Sequence, residues 1–171
     1  MPTIRMAKLS DARALANLAE QTFRDTFADT NTAQDMDLHC QNTYSQAIQL
    51  AEIKNPEVVT FVAEDSNQLV AYAQVRWAEV EPCVSGSSPG EIHRLYVDRD
   101  WHGKGLAPTL MDACLKALKA HGSDVAWLGV WEHNPRAMAF YRKFGFEAVG
   151  DHVFPVGNDP QRDVIMMRSL E

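Results

Sequence analysis

Residues 91–131 read "EIHRLYVDRDWHGKGLAPTLMDACLKALKAHGSDVAWLGVW", and their reading decides the fold. "EIHRLYV" (91–97) is rich in branched and aromatic residues and predicts a strand. From residue 106, Leu106, Leu110, Met111, Cys114, Leu115 and Leu118 recur on one face of a helix, and Gly122 marks its end after His121. "VAWLGVW" (125–131) is a nearly continuous apolar run, as a strand buried on both faces requires. A strand, a helix and a strand of these lengths make a β-α-β unit with a right-handed crossover. Two glycines and a lysine, Gly103, Lys104 and Gly105, stand at the mouth of its helix. A helix N-terminus carries unpaired N–H groups and a partial positive charge, so an anion is the expected visitor.

The flanks extend this unit into a mixed α/β layer fold. "TIRMAK" (3–8) reads as a first strand, and Ser10 as the N-cap of a helix burying Leu15, Leu18, Ala19, Phe23 and Phe27. Thr32 and Asp35 stand at capping-box spacing and open a second helical region, which Pro56 ends. "VVTFVAE" (58–64) and "LVAYAQVRWAEV" (69–80) form a hairpin around "DSNQ", and "EPCVSGSSPG" (81–90) reads as loop. Asn134 and Pro135 are N-cap and first turn of a short helix that stops at Gly145. "FEAVGDHVFPV" (146–156) and "DVIMMRSL" (163–170) are two closing strands, and the turn "GNDPQRD" (157–163) between them borders the site. The chain, 1–171, is read as a single domain: a mostly antiparallel sheet flanked by helices, with the β-α-β unit at its centre.

Composition narrows the function classes. The 171 residues are 46% hydrophobic and 23% charged, ordinary for a globular chain. A formal net charge of −7 without a basic patch argues against a nucleic-acid partner. No apolar run is long enough to span a bilayer, and "MPTIRMAKLSDAR" lacks a hydrophobic signal segment, so no membrane partner and a cytoplasmic location are expected. Cys40, Cys83 and Cys114 are odd in number, widely spaced and free of CxxC, which argues against a disulfide framework and a zinc site. Cys114 reads as a small core hydrophobe, and His39–Cys40 lacks a third ligand; no metal is expected.

Three anion-binding loops compete for residues 103–108. The ATPase phosphate loop needs GxxxxGK[ST], which the chain lacks. The dinucleotide fingerprint GxGxxG fails at its third glycine, where Pro108 stands. An acyl-CoA loop fits: backbone N–H groups from 103 to 107 can cradle a diphosphate, and Pro108 is tolerated in a first helical turn. A tight strand-to-helix turn without any ligand would use the same glycines.

The larger pattern favours the ligand. "RLYVDRDWHGKGLAPTLM" (94–111), followed by "GVWEHNPRAMAFYRKFGFEAVG" (129–150), resembles the Gcn5-related N-acetyltransferase (GNAT) superfamily. The family's loop, [QR]-x-x-G-x-[GA], is met by His102, Gly103, Lys104, Gly105, Leu106 and Ala107, with histidine at the departing first position. Its second pattern, N-x-x-A-x-x-[FL]-Y-x-K-x-G-F, is met by Asn134, Ala137, Phe140, Tyr141, Lys143, Gly145 and Phe146. "TFRDTFADTNTAQDMD" (22–37) further resembles a bacterial branch that includes polyamine acetyltransferases.

The resemblance implies acetyl transfer from acetyl-CoA to a primary amine by direct attack. His102–Ala107 would hold the diphosphate, and the backbone of Leu95, Tyr96 and Val97 the pantetheine arm. Asn134 would hold a CoA group or a water, although an N-cap role explains it equally. Tyr141 would be the acid for the leaving thiolate: a phenol titrates at ~10 and a thiol at ~8.5, so the proton is present at neutral pH. Tyr141 beside Phe140 and Phe144 would also suit core packing, the role assigned to Phe140. Glu91 is the expected base, directly or through water, with His93 on the same strand face as the alternative. Glu20, Asp25, Asp29, Asp35 and Asp37 against Arg24 suggest a cationic, polyamine-like acceptor, although a solvated helix face accounts for most of them. Trp77, Trp131 and Phe27 are candidates for an apolar channel or for the core. Acetyl-transfer to protein N-termini or antibiotics, and a non-catalytic acyl-CoA-binding module, are the alternatives; pairing into a homodimer is common in such folds.

Overall fold

The computed structural model describes residues 1–171. Seven strands join one sheet: β1 (Thr3–Met6), β2 (Val58–Asp65), β3 (Gln68–Arg76), β4 (Pro89–Val97), β5 (Val125–Trp131), β6 (Glu147–Val156) and β7 (Asp159–Ser169). Their order across the sheet is β1-β2-β3-β4-β5-β7-β6. All pairs are antiparallel except β4 with β5, the pair joined through α4 (Leu106–His121). This is the α/β arrangement expected, with the β-α-β unit at mid-sheet. No helix is long and apolar enough to cross a membrane.

Two cores flank the sheet. On one face α4 and α5 (Pro135–Lys143) cover a cluster holding Leu106, Leu110, Met111, Cys114 and Leu118, the face read from their spacing. On the other, α1 (Ala12–Phe27), α2 (Ala33–Thr43) and α3 (Gln46–Lys54) cover a cluster that includes Leu15, Leu18, Phe23, Met36, Cys40 and Tyr72.

Several local expectations are corrected. Ser10 does not cap α1: Leu9–Asp11 forms a 3-10 turn, and Asp11, held by Arg5 at 2.7 Å, accepts the Lys8 N–H at 2.7 Å. A carboxylate with an arginine partner is the stronger acceptor there. The region before Pro56 is two helices, because Tyr44 turns inward and Ser45 caps α3 by accepting the Ile48 N–H at 3.2 Å. β3 stops at Arg76 instead of Val80: its partner β2 begins at Val58, and beyond it the Trp77 N–H donates to the Glu57 carbonyl at 3.3 Å. β4 begins at Pro89, before the expected Glu91. β7 begins at Asp159, so the last turn is only Gly157–Asn158, with Gly157 at φ +60°.

One irregularity builds the cleft. β4 pairs with β5 only at Pro89↔Val125, Gly90↔Ala126 and Glu91↔Trp127. Opposite, on the β3 side, the register slips between Gln74↔Arg94 and Val75↔Ile92, leaving His93 as the extra residue of a bulge. A bulge bends and twists its strand. β4 departs at that point, while β5 continues beside β7 to Trp131↔Asp163. The two parallel strands therefore part, and β4 has no neighbour on its β5 side from Ile92 onward.

Candidate active site

The opening between β4 and β5 leads into a cavity of about 1090 Å³, roughly the size of a cofactor pocket. Its walls come from β4, the loop 102–108, the end of β5, α5, the helices α1 and α2, and the β6–β7 hairpin.

The glycine loop has the geometry of an anion cradle. Gly103 and Gly105 sit at φ +73° and +84°, and a Cβ placed on either would have nothing within 4 Å, so the concave side is open. Gly105 is the N-cap of α4, and no side chain caps the helix. The N–H groups of its first turn thus remain available, with the helix dipole behind them. His102 donates Nε2–H to the Val97 carbonyl at 2.8 Å, tying the loop to the end of β4. His102, Gly103, Gly105, Leu106 and Ala107 line the cavity. Lys104 does not; its ammonium lies 4.8 Å over the Trp101 ring.

Leu95, Tyr96 and Val97 line the wall where β4 is unpaired. Tyr141 faces them from α5. Its ring meets Phe140 and Phe146 edge-on at 5.5 and 6.2 Å, so it both packs and lines the cavity. Burial pushes its phenol up to about 12, which keeps the proton on at neutral pH. Asn134 also serves twice: Oδ1 accepts the Ala137 N–H at 3.2 Å as N-cap, and the residue borders the cavity. Phe140, assigned to packing, lies against Phe144 at 5.2 Å and reaches the cavity as well.

Glu91 and His93 part company. Glu91 is 5% exposed, ion-paired with Arg76, and does not line the cavity. His93 does, with Nδ1 3.5 Å from the Glu91 carboxylate. Burial opposes charge on Glu91, but His93 and Arg76 outweigh it and hold the carboxyl below its usual range. Burial likewise lowers His93, against the pull of Glu91.

The part of the cavity walled by α1, α2 and the end of β5 is aromatic. Phe23, Phe27, His39 and Trp131 line it, with Phe23 stacked on His39 at 4.3 Å and Phe27 edge-on to Trp131 at 5.8 Å. Trp77 lies elsewhere, stacked on His121 at 3.9 Å and donating to Ser123. Of the five acids on 20–37, only Asp25 borders the cavity, and Arg99 holds it at 2.7 Å. Glu20 and Asp37 flank Arg24, and Asp35 accepts the Asn158 N–H at 3.0 Å. Gly157, Gln161 and Asp163 of the last hairpin do reach the cavity. Arg94 lines it too, buried against Tyr44 and paired with Glu52 at 2.9 Å; nothing in its strand sequence singled it out.

An α/β sheet with a parallel pair parting over a glycine-rich helix N-terminus, with a buried phenol in the cavity, has the layout an acyl-CoA-dependent acyltransferase needs. Residues 13–146 match the model of the acetyltransferase (GNAT) family. The chain is 27% identical over 153 residues to an uncharacterised N-acetyltransferase of Lactobacillus delbrueckii subsp. lactis, covering 90% of this chain and 88% of that one. It is 28% identical over 163 residues to an uncharacterised N-acetyltransferase of Mycobacterium tuberculosis strain H37Rv, covering 95% and 99%. In structure it resembles the PaiA N-acetyltransferase of Thermoplasma acidophilum, solved in complex with coenzyme A, with a TM-score of 0.78 at 21% identity over 99% of both chains. The chain belongs to the GNAT acetyltransferase family, and it is an acetyl-CoA-dependent N-acetyltransferase.

Proposed function

We propose that the protein transfers acetyl from acetyl-CoA to the primary amine of a small cationic acceptor by direct attack. One observation carries this reading: the open Gly103–Gly105 cradle, the unpaired edge of β4 and Tyr141 line a single cavity. When bound, acetyl-CoA supplies a thioester carbonyl as the electrophile. The N–H groups of 103–107 bind the diphosphate, and Lys104 adds charge at the rim. The free edge of Leu95–Val97 receives the pantetheine amides as an added strand, and an N–H there polarises the acetyl carbonyl. Tyr141 holds a proton at its hydroxyl for the departing sulfur, and Asn134 keeps its amide nitrogen free for the cofactor or a water.

A cationic, polyamine-like acceptor is supported by the aromatic wall, which favours an ammonium over its ring faces, and by Asp163, which has no lysine or arginine partner. The Glu91 carboxylate does not line the cavity and meets His93, which does, so its support for transfer runs through His93. Pairing of two copies is supported by β6, an edge strand with Val149 and Val153 exposed; light scattering at micromolar concentration reads twice the chain mass if it holds. A cytoplasmic location suits three cysteines that are all free.

The test is acetyl-CoA turnover across polyamines, amino acids, aminoglycosides and peptide N-termini, beside calorimetry with CoA. CoA binding with turnover fastest on polyamines is expected. CoA binding with no acetylated amine would instead make the protein a non-catalytic acyl-CoA module.

A further inference from the structure

Resting on the acetyl-transfer reading above, we infer that Asp163 is the group that takes the proton from the acceptor's ammonium, and that His152 and Glu81 carry it to solvent. An ammonium has no lone pair, so a base must reach the nitrogen before attack. Two carboxylates line the cavity, Asp25 and Asp163. Asp25 is neutralised by Arg99. Asp163, 8% exposed, has only an imidazole beside it, with His152 Nε2 at 3.5 Å from Oδ2.

That contact is built to hold one more proton. His152 Nδ1 lies 2.7 Å from the Glu81 carboxylate, which can only accept, so Nδ1 carries the hydrogen. Nε2 is then a lone pair, buried and without a hydrogen-bond donor, facing another acceptor. Two acceptors face each other across a gap that a single proton would close. Glu81 and His152 are each about one-quarter exposed at their side chains, so the row runs from the cavity wall to solvent.

The sheet places the row deliberately. Trp131, Asp163 and His152 are register neighbours across β5, β7 and β6. Gly129, the exposed position within otherwise buried β5, leaves the pair uncovered: a Cβ there would lie 3.2 Å from Asp163 Oδ2 and 3.3 Å from His152 Nε2. Tyr96 on β4, Tyr141 on α5 and Asp163 on β7 line the same cavity, and the phenol of Tyr96 is raised by burial first, then by Tyr72, Tyr141 and Asp163. Burial raises Asp163 itself, and His152 opposes that. The groups facing Asp163 are therefore His152 from β6, with Glu81 behind it, and Tyr96 from β4.

The balance closes without a co-reactant. The acceptor's N–H bond breaks, its electron pair stays on nitrogen, and the proton lodges between Asp163 Oδ2 and His152 Nε2. Imidazolium then gives its Nδ1 proton to Glu81, which releases it to water, and proton exchange with water returns the ring to its Nδ1–H tautomer. The amine pair forms the bond to the acetyl carbon, the C–S pair leaves with sulfur, Tyr141 gives its hydroxyl proton to that sulfur, and the second N–H proton, shed as the amide forms, restores the phenol.

The experiment compares wild type, Asp163→Asn and His152→Gln for kcat/KM of the amine over pH 6–9, with CoA affinity by calorimetry and melting by circular dichroism. Asp163→Asn is expected to lose ~100-fold or more near neutrality, the usual worth of a general base. Its rate should then climb about tenfold per pH unit, because only the free amine reacts, while CoA affinity holds. His152→Gln, a change at a positioning residue, should lose less and move the low-pH break upward. Asp163→Asn within threefold of wild type, or a loss that does not vary with pH, overturns the assignment. If Asp163→Asn does not fold, His152→Gln decides, and an unmoved break overturns it. A wild type that binds CoA and acetylates nothing sinks the transfer reading itself; a working wild type matched by Asp163→Asn sinks only the base.

Discussion

Replacing Tyr141 with phenylalanine removes one oxygen from the cavity wall and leaves the ring against Phe140 and Phe146. The size of the effect follows from burial. At about 12, the phenol is a weaker acid than a free thiol at ~8.5, a gap on the order of 5 kcal/mol against complete proton transfer. The hydroxyl therefore acts first as a hydrogen-bond donor to negative charge growing on sulfur. Such a bond is worth ~1.5–3 kcal/mol, which is roughly a 10- to 150-fold loss in kcat. The same burial raises the thiol in the same cavity, which narrows the gap and favours the upper end. The assay follows thiol release with a chromogenic disulfide at saturating amine, beside calorimetry with CoA. CoA affinity should stay within twofold and the melting temperature should barely move, since the packed ring survives. Turnover within twofold of wild type would remove the phenol from the chemistry. An equal fall in CoA affinity would show that it only shapes the pocket.

Two further substitutions separate binding from support. Gly105→Ala places a side chain at φ +84° with nothing within 4 Å to clash, so its cost is backbone strain alone. The free loop escapes that strain, about 1–2 kcal/mol, by leaving the positive-φ conformation, and CoA must restore it, so affinity should weaken by roughly tenfold in calorimetry without a change in kcat at saturation; unchanged affinity would mean that the loop does not hold the diphosphate. Glu91→Gln breaks the ion pair with Arg76 off the cavity wall, so melting temperature should fall while kcat falls much less than in Asp163→Asn. Because the Glu91 carboxyl is held below its usual range, its contribution is present at neutral pH and lost on acidification. Wild type and Glu91→Gln should therefore draw together in melting temperature as the pH falls through and below the usual carboxylate range; a dead but equally stable Glu91→Gln would return the base role to Glu91.

Much of this was legible from one dimension. The apolar spacing of Leu106–Leu118 named the core face of α4, and the run 125–131 named a strand covered on both sides. The glycine loop and Tyr141 were readable because their geometry is local: positive φ demands glycine, and an N-cap followed by proline starts α5 at Asn134. Which side chains of β4 and β7 reach the cavity was not readable in that way. Alternation put Glu91 and His93 on one face, and they do touch at 3.5 Å, but the bulge brings only His93 to the cavity. The acids of 20–37 looked like a wall, yet arginines and a backbone N–H take up four of the five.

By itself, the sequence determined the order of strands along the chain, the β-α-β centre and the glycine turn before α4, because each depends on residues within a few positions of one another. Only the tertiary structure decided where β4 and β5 part and which carboxylates line the cavity. Glu81, His152 and Asp163 are far apart along the chain and share a row only once β5, β7 and β6 are in register. Cross-strand neighbours are set by pairing and by a bulge on another strand, and no local spacing encodes either.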